Sequence, residues 1–198
     1  MTKTNVKVTP ATGKLGILLP GMGAVATTFI AGVEAVKRGL AEPVGSLTQM
    51  GRLRLGKRSE NRSAMIKDFI SLSSLENVCF GGWDIFEDDV YQAASKAKVL
   101  EQTLLDQLRE PLSKIKPMSA VFDNNYIALI DGKNKKSGRT KKDLADQLRE
   151  DIKRFKKDNH CDRLVMVWCA STERYTEQAP CHEDRKSTRL NSSHGYIS

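Results

Sequence analysis

The sequence predicts an α/β fold with a doubly wound parallel sheet, on three observations. Short apolar segments typical of buried strands alternate with longer segments whose apolar residues recur at helical spacing. The first apolar segment leads through a glycine turn into a helix, which is the order expected of a parallel βαβ unit. Small or polar residues follow three of the predicted strands. Ligands of such sheets collect at the carboxyl ends of the strands, so those residues are the first candidates for a site.

The first βα unit begins with a strand over residues 15–19, a short apolar run that ends before Pro20. The helix after it spans residues 24–38, and Gly39 stands where a C-terminal cap is expected. Helical spacing assigns to the buried face of this helix Val25, Phe29, Val33 and Val36. A second strand is predicted over residues 44–50.

The next unit begins with a strand over residues 77–80 that ends in Gly81-Gly82-Trp83-Asp84. One long helix follows from about Asp89, with Asp88 or Asp89 as its N-cap and a kink or break expected at Pro111. The apolar stripe of this helix comprises Val90, Ala94, Ala97, Leu100, Leu104, Leu108 and Leu112.

The last predicted elements are a short strand over residues 120–122, a helix over 143–157 and a fully buried strand over 163–168. The helix is amphipathic, and its inward-facing residues are Leu144, Leu148, Ile152 and Phe155. Glu150 and Arg154 are spaced to form an ion pair on its outer side.

Charge alone leaves several partners open. The 198-residue chain has a formal net charge of +8, which suits either a nucleic-acid surface or an anionic small-molecule substrate. The basic stretches 133–136 and 139–142 contain no aromatic residues, so we interpret them as an exposed loop. A second basic loop faces the phosphate of a substrate, a neighbouring subunit or only solvent, and it contains Arg52, Arg54, Lys57, Arg58 and Arg62.

The cysteines and the two chain ends bear on metal binding and on the cellular compartment of the protein. Cys79, Cys161, Cys169 and Cys181 form no CxxC pair and no zinc pattern, so we expect no metal site. No signal peptide and no membrane span are evident, so reduced thiols in the cytoplasm are the default. Residues 185–198 lack acidic residues and any element signal, and we expect them to be a non-native tail.

The glycine turn carries the strongest chemical signal. Gly21-Met22-Gly23-Ala24-Val25-Ala26 matches G-x-G-x-x-A directly after a strand and at the start of a helix. Gly21 permits the sharp turn, Gly23 lets the backbone approach a pyrophosphate, and Ala26 lets the helix pack closely. Free N–H groups at the helix start attract phosphate. This pattern predicts a dinucleotide site, with a purely structural turn as the alternative.

Two further candidates follow other strands. The acidic residue expected about 20 positions after the glycine turn is missing from the predicted second strand. Asp84 is the best substitute as acceptor for the ribose hydroxyls, with an N-cap or turn aspartate as the alternative. Ser171 and Thr172 follow the last strand and offer hydroxyls to a cofactor, unless they only cap a helix. No catalytic set is evident, and His160 sits in a typical loop position.

Four segments together resemble the bacterial type of the inositol-3-phosphate synthase (myo-inositol-1-phosphate synthase) family. They are KLGILLPGMGAVATTFIAGVEAVKRGL, GSLTQMGRLRLGKR, FGGWDIF and DRLVMVWCASTE. The resemblance covers residues 14–175, and its GGWD and W-x-A-[ST]-T-E patterns are more specific than the glycine motif.

The resemblance implies an NAD-dependent isomerase that converts glucose 6-phosphate to 1D-myo-inositol 3-phosphate by oxidation, aldol cyclisation and reduction, for inositol and phospholipid biosynthesis. It implies a homotetramer in the full-length family and contacts with NAD from Gly21, Gly23, Ala24, Val25, Ala26, Asp84, Ala170, Ser171 and Thr172. The glycine loop here departs from the asparagine-rich loop of many members.

Family members are much longer, and their catalytic lysines lie in a second α+β domain. We therefore expect a lead-in at residues 1–13 and an incomplete Rossmann-like NAD-binding domain at 14–184, truncated before the catalytic and tetramerisation domain. Under that expectation the chain carries no catalytic residue and is inactive alone. Two alternatives stay open: a generic NAD(P)-dependent oxidoreductase, and a non-catalytic nucleotide- or nucleic-acid-binding module.

Overall fold

The computed structural model describes residues 12–125 and 130–170. Its centre is a four-stranded parallel sheet, in the order β5-β4-β1-β6, with a separate two-stranded antiparallel sheet of β2 and β3. The strands are β1 Leu15–Pro20, β2 Arg52–Leu55, β3 Arg62–Met65, β4 Val78–Asp84, β5 Met118–Ser119 and β6 Arg163–Met166. The helices are α1 Ala24–Lys37, α2 Leu47–Met50, α3 Val90–Ala97, α4 Gln102–Gln107, α5 Arg109–Ser113 and α6 Lys141–Asp158.

Helices cover both faces of the main sheet. Helices α1, α3, α4 and α5 share one apolar core with β1 and β4, whereas Phe155 of α6 packs with Leu18 and Trp83 in a second core. The connection from β5 to β6 therefore crosses the opposite face through α6. The strand order corresponds to 3-2-1-4 of a dinucleotide-binding sheet. The predicted doubly wound parallel α/β fold is confirmed.

The residues of β1 and β4 alternate between these two cores. Leu15, Ile17 and Leu19 face the α1 side, and Leu18 faces the α6 side. A Cβ added to Gly16 would lie 2.8 Å from the Phe155 ring, so the bare backbone lets α6 approach the sheet. Both strands are buried on two faces, as expected of parallel strands.

Helix α1 confirms the predicted helix but not its predicted buried face. The buried residues are Ala26, Thr27, Ile30, Ala31 and Ala35. Of the predicted stripe, Val33 packs against the core, but Val25 is 63% and Phe29 39% exposed, so the buried face is shifted by about one position. Three alanines on this face let the helix lie close to the sheet, and Ile30 supplies its largest buried side chain. Gly39 has φ +69°, and Leu40 N–H donates to Ala35 O, so the predicted cap is confirmed.

The predicted strand over residues 44–50 is wrong. Ser46 N–H donates to Pro43 O in a turn, and the four-residue helix α2 follows. Pro43 and Gly45 favour a turn there over extension. Strands β2 and β3 then pair with each other, so residues 44–77 form an insertion apart from the main sheet. As a result β4, rather than this segment, lies beside β1.

Strand β4 and the helices after it also differ from the prediction. Gly81-Gly82-Trp83-Asp84 lies inside β4 rather than after it. The single long helix is wrong, because α3 ends at Lys98 in a left-handed conformation with φ +54°. Pro111 lies in the first turn of α5, where its missing N–H breaks no helical hydrogen bond. Asp89 is the N-cap of α3, as predicted.

The last elements are shifted or shortened. Strand β5 lies two residues before its predicted start. Glu150 pairs with Lys153, and Arg154 with the buried Asp151, so the predicted Glu150–Arg154 pair is wrong. Strand β6 is not fully buried, because within the described residues it pairs only with β1, on one edge. No helix in residues 12–125 and 130–170 is long and apolar enough to cross a bilayer.

Candidate functional site

The turn after β1 is fixed by β4 and by the residues that follow β6. Gly21 has φ +81°, and its N–H donates to Trp83 O at 2.9 Å. A Cβ on Gly21 would lie 2.7 Å from Ala170 Cα, so a larger residue would be both strained and crowded. Cys169 N–H donates to Pro20 O at 3.1 Å, which holds Ala170 against the turn. Gly21 and Ala170, both predicted as site residues, are therefore brought together.

Gly23 faces open space at the start of α1. It is the N-cap of the helix, and a Cβ added to it would meet no described atom within 4 Å. The first backbone bond of the helix runs from Thr27 N–H to Gly23 O. Helix geometry therefore leaves the N–H groups of Ala24, Val25 and Ala26 without a helical acceptor. Together with the positive end of the helix dipole, these groups can bind an anion over Gly23.

Asp84 braces this turn from the neighbouring strand. Its Oδ2 accepts a hydrogen bond from Met22 N–H at 2.7 Å, and its Oδ1 accepts one from Phe86 N–H at 3.0 Å. A carboxylate has about four acceptor sites, so these two bonds leave capacity for a ligand hydroxyl. The structure thus bears out the turn aspartate, and the role of Asp84 as acceptor for the ribose stays a prediction.

Asp84 lies at the place in the sheet where the acidic residue of a dinucleotide site is expected. It ends β4, the strand directly beside β1, where dinucleotide-binding sheets carry the acidic residue for the ribose. The usual spacing of about 20 residues fails here because the insertion of residues 44–77 separates α1 from β4.

Sequence reasoning missed Asn134, which supports the end of β4. Its Nδ2 donates to Asp84 O at 3.0 Å, and its Oδ1 accepts from Ser119 Oγ at 2.7 Å. The Asn134 backbone N–H also donates to Ile85 O. The sequence Asp-Gly-Lys-Asn at residues 131–134 was the available signal, since aspartate, glycine and asparagine are typical of turns.

A buried ion pair anchors the other side of Trp83. Asp151 is 3% exposed, and its Oδ2 accepts from Trp83 Nε1 at 2.9 Å and lies 2.7 Å from Lys136 Nζ. Burial raises the pKa of Asp151, but hydrogen bonds from Lys136 and Trp83 outweigh it and leave the pKa below its usual value. Lys136 was predicted to lie in an exposed loop, and that prediction is wrong, because its charge is drawn inward by Asp151.

The remaining sequence candidates lie elsewhere. Arg52, Arg54, Lys57, Arg58 and Arg62 are all exposed on the β2–β3 insertion. Helix α1 runs away from the glycine turn, and β4 runs back toward it. The insertion between them therefore begins and ends at the amino end of the main sheet, opposite the glycine turn. His160 is an exposed turn residue with φ +52°. Ser171 and Thr172 lie outside the described residues.

Comparisons with known proteins identify the family and its cofactor. An NAD-binding family model described as myo-inositol-1-phosphate synthase matches residues 15–194, which confirms NAD as the predicted cofactor. The chain is 45% identical over 170 residues to inositol-3-phosphate synthase 1 of Bacteroides thetaiotaomicron, covering 85% of this chain and 39% of the relative. It is 31% identical over 203 residues to the inositol-3-phosphate synthase of Saccharomyces cerevisiae, covering 90% of this chain and 38% of the relative.

A solved structure leads to the same family. The crystal structure of inositol-3-phosphate synthase from Caenorhabditis elegans superimposes with a TM-score of 0.76 at 27% identity, covering 90% of this chain and 39% of that one. The chain therefore spans about two fifths of the length of these relatives. By its family model and its relatives, the chain belongs to the myo-inositol-1-phosphate synthase family.

Proposed function

We propose that this chain is the NAD-binding part of an enzyme that converts glucose 6-phosphate to 1D-myo-inositol 3-phosphate. The observation that carries the proposal is the pairing of an open glycine turn at the start of α1 with Asp84 at the end of the adjacent strand. The names of the relatives supply the product, the family resemblance implies the substrate, and the dinucleotide geometry supports the part played by this chain.

The residues present fit NAD. The open space at Gly23 and the free N–H groups of Ala24, Val25 and Ala26 suit its pyrophosphate, and the acceptor capacity of Asp84 suits a ribose hydroxyl. Bound NAD supplies hydride transfer, oxidising the sugar and later reducing the cyclised product. We assign Ala170, Ser171 and Thr172 to the same site, and we assign no catalytic residue to this chain.

The proposal extends to the whole enzyme. It includes a domain boundary near residue 184, a homotetramer and a cytoplasmic location. A cytoplasmic location suits the free thiols of Cys79, Cys161 and Cys169.

The proposed reaction is tested with a chimera in which residues 15–170 replace the matching segment of the Bacteroides thetaiotaomicron synthase. We expect inositol phosphate to form from glucose 6-phosphate without net accumulation of NADH. A chimera that binds NAD but accumulates NADH would instead indicate an ordinary oxidoreductase.

The NAD site itself is tested in the 198-residue chain by Gly23→Val. Gly23 has a negative φ of −81°, and an added Cβ has free space, so folding should be retained. The new side chain would occupy the path of the pyrophosphate. We expect NAD affinity by calorimetric titration to fall by roughly 100-fold or more, which corresponds to about 2.7 kcal/mol.

Gly32→Ala is the matched control, because Gly32 also lies in α1 and its added Cβ also meets no described atom. Alanine should stabilise the helix by about 0.5–1 kcal/mol and leave NAD affinity unchanged. Equal NAD affinity in wild type and Gly23→Val would rule out the proposed position of the phosphates.

Asp84→Asn tests the second half of the site. Loss of the charge weakens the hydrogen bond from Met22 N–H and any bond to a ribose hydroxyl. We expect NAD affinity to fall by about 1–2 kcal/mol, less than for Gly23→Val. An unchanged titration would exclude Asp84 from cofactor binding and leave it a turn residue only.

A further inference from the structure

Two cysteines distant in sequence meet at the amino end of the main sheet. Cys79 Sγ lies 3.3 Å from Cys161 Sγ, although 82 positions separate them along the chain. Cys79 belongs to β4, and Cys161 lies in the short connection between α6 and β6. The two residues therefore sit on opposite sides of the intervening strand β1.

A glycine in β1 makes this approach possible. Gly16 is the partner of Cys79 in the parallel register and of Leu164 in β6. A Cβ on Gly16 would lie 2.9 Å from Cys161 Sγ. The bare backbone of β1 thus leaves a space in which the two sulfur atoms meet. A disulfide bond is about 2.0 Å long, so the sulfur atoms need to approach by only about 1.3 Å.

The two thiols differ in access. Cys161 is buried, whereas Cys79 is half-buried and lines a cavity of about 440 Å³ bounded also by Lys37, Lys114 and Phe155. A small reagent in this cavity would meet Cys79 first, and Cys161 would then be the only described thiol in contact with it. Burial, followed by the contact with Cys161, raises the pKa of Cys79 to about 11. Reaction at neutral pH is therefore slow, because the thiolate is the nucleophile.

We propose that Cys79 and Cys161 are a redox modification site that forms a reversible disulfide with a small-molecule disulfide as oxidant. The Cys79 thiolate attacks the oxidant, forming a mixed disulfide and releasing one thiolate. The Cys161 thiolate then attacks Cys79 Sγ, which forms the protein disulfide and releases the second thiolate. Both cysteine sulfurs are oxidised, the oxidant is reduced to two thiols, and the two protons pass to the leaving groups.

The bridge would join the starts of β4 and β6. Their opposite ends carry Asp84 and lead to Ala170, at the proposed cofactor site. We expect the bridge to raise the melting temperature, on the order of 10 °C, because it closes a long loop. We expect less than a twofold change in NAD affinity, because the bridge lies at the other end of the sheet. The disulfide does not depend on the NAD assignment.

The test uses the 198-residue chain equilibrated in oxidised and reduced glutathione at pH 8.5, followed by acid quenching, alkylation and trypsin. Trypsin separates the three described cysteines into peptides 68–96, 158–163 and 164–174. We expect a cross-link between 68–96 and 158–163 that disappears on adding excess dithiothreitol. Cys169→Ser, which removes another half-buried thiol, is the matched control and should leave this cross-link unchanged.

Cys161→Ser should abolish the cross-link and trap Cys79 as its mixed disulfide with glutathione. Mapping of the wild-type chain decides the question even if this variant folds poorly. A stable glutathione adduct on wild-type Cys79, or cross-links spread equally to Cys169, would overturn the proposal.

Discussion

Replacing Asp151 with asparagine should destabilise the fold far more than the same change elsewhere on α6. Asp151 accepts hydrogen bonds from Trp83 and Lys136 and pairs with Arg154 Nη2 at 2.5 Å. The Lys136 side chain is only 11% exposed, so removing its partner leaves a cation that water cannot fully solvate. Breaking a buried pair in this way typically costs 3–5 kcal/mol. We expect about 3 kcal/mol, since Arg154 can turn to solvent.

The pH dependence of this loss has a definite sign. The folded pKa of Asp151 lies below its unfolded value of about 3.9, so ionised Asp151 stabilises the fold at pH values above the unfolded pKa. That contribution disappears as the pH falls through the folded pKa. The difference in unfolding free energy between wild type and Asp151→Asn should therefore be full at pH 6–7. It should shrink below about pH 4.

Urea unfolding of the 198-residue chain at pH 7 measures the effect, with a thermal scan as a second readout. A loss of about 3 kcal/mol corresponds to a melting temperature lower by roughly 6–12 °C. Asp146→Asn is the matched control, because Asp146 forms an exposed pair with Arg149 on the same helix and should contribute less than about 1 kcal/mol. Adding Lys136→Met to Asp151→Asn should restore most of the loss, since no buried cation remains. Equal effects of the Asp151 and Asp146 changes would refute the reasoning.

Three further changes probe local packing and backbone geometry. Gly81→Ala should lower the unfolding free energy in urea by about 1–3 kcal/mol, because the added methyl group meets the Phe155 ring. Adding Phe155→Leu should recover part of this loss, and the absence of any recovery would contradict the contact. Asp89→Ala should cost about 1 kcal/mol, since Asp89 caps α3, and a loss below about 0.3 kcal/mol would deny the cap. Lys98→Gly should stabilise the chain by up to about 1 kcal/mol by relieving a positive φ, whereas destabilisation would contradict that conformation.

Local signals determined the elements that were predicted well. The strand over residues 15–19, the helix after it and its Gly39 cap each depend on neighbours within a few positions, and the structure has all three. The amphipathic helix α6 was equally clear, because its apolar spacing is regular over four turns. These signals do not require knowledge of the tertiary fold.

Tertiary arrangement determined what could not be predicted. Val25 and Phe29 looked like the buried face of α1, but the face that packs on the sheet consists of Ile30, Thr27 and three alanines. The rule that places an acidic residue about 20 positions after the glycine turn counts along the chain, whereas its place in the sheet depends on which strand lies beside β1. Asp84 was found as a candidate, but its bond to Met22 N–H and the supporting Asn134 emerged only from the three-dimensional contacts.

The insertion of residues 44–77 leaves the main sheet and returns to it at the end remote from the glycine turn. Lengthening such a surface excursion adds little closure entropy, about 0.6 kcal/mol for each doubling. Deletions or grafts within β2 and β3 can therefore alter this side of the molecule while the N–H groups at the start of α1 keep their positions. The hairpin is accordingly the natural place to attach a fluorescent label or a foreign epitope when ligand binding must be left undisturbed.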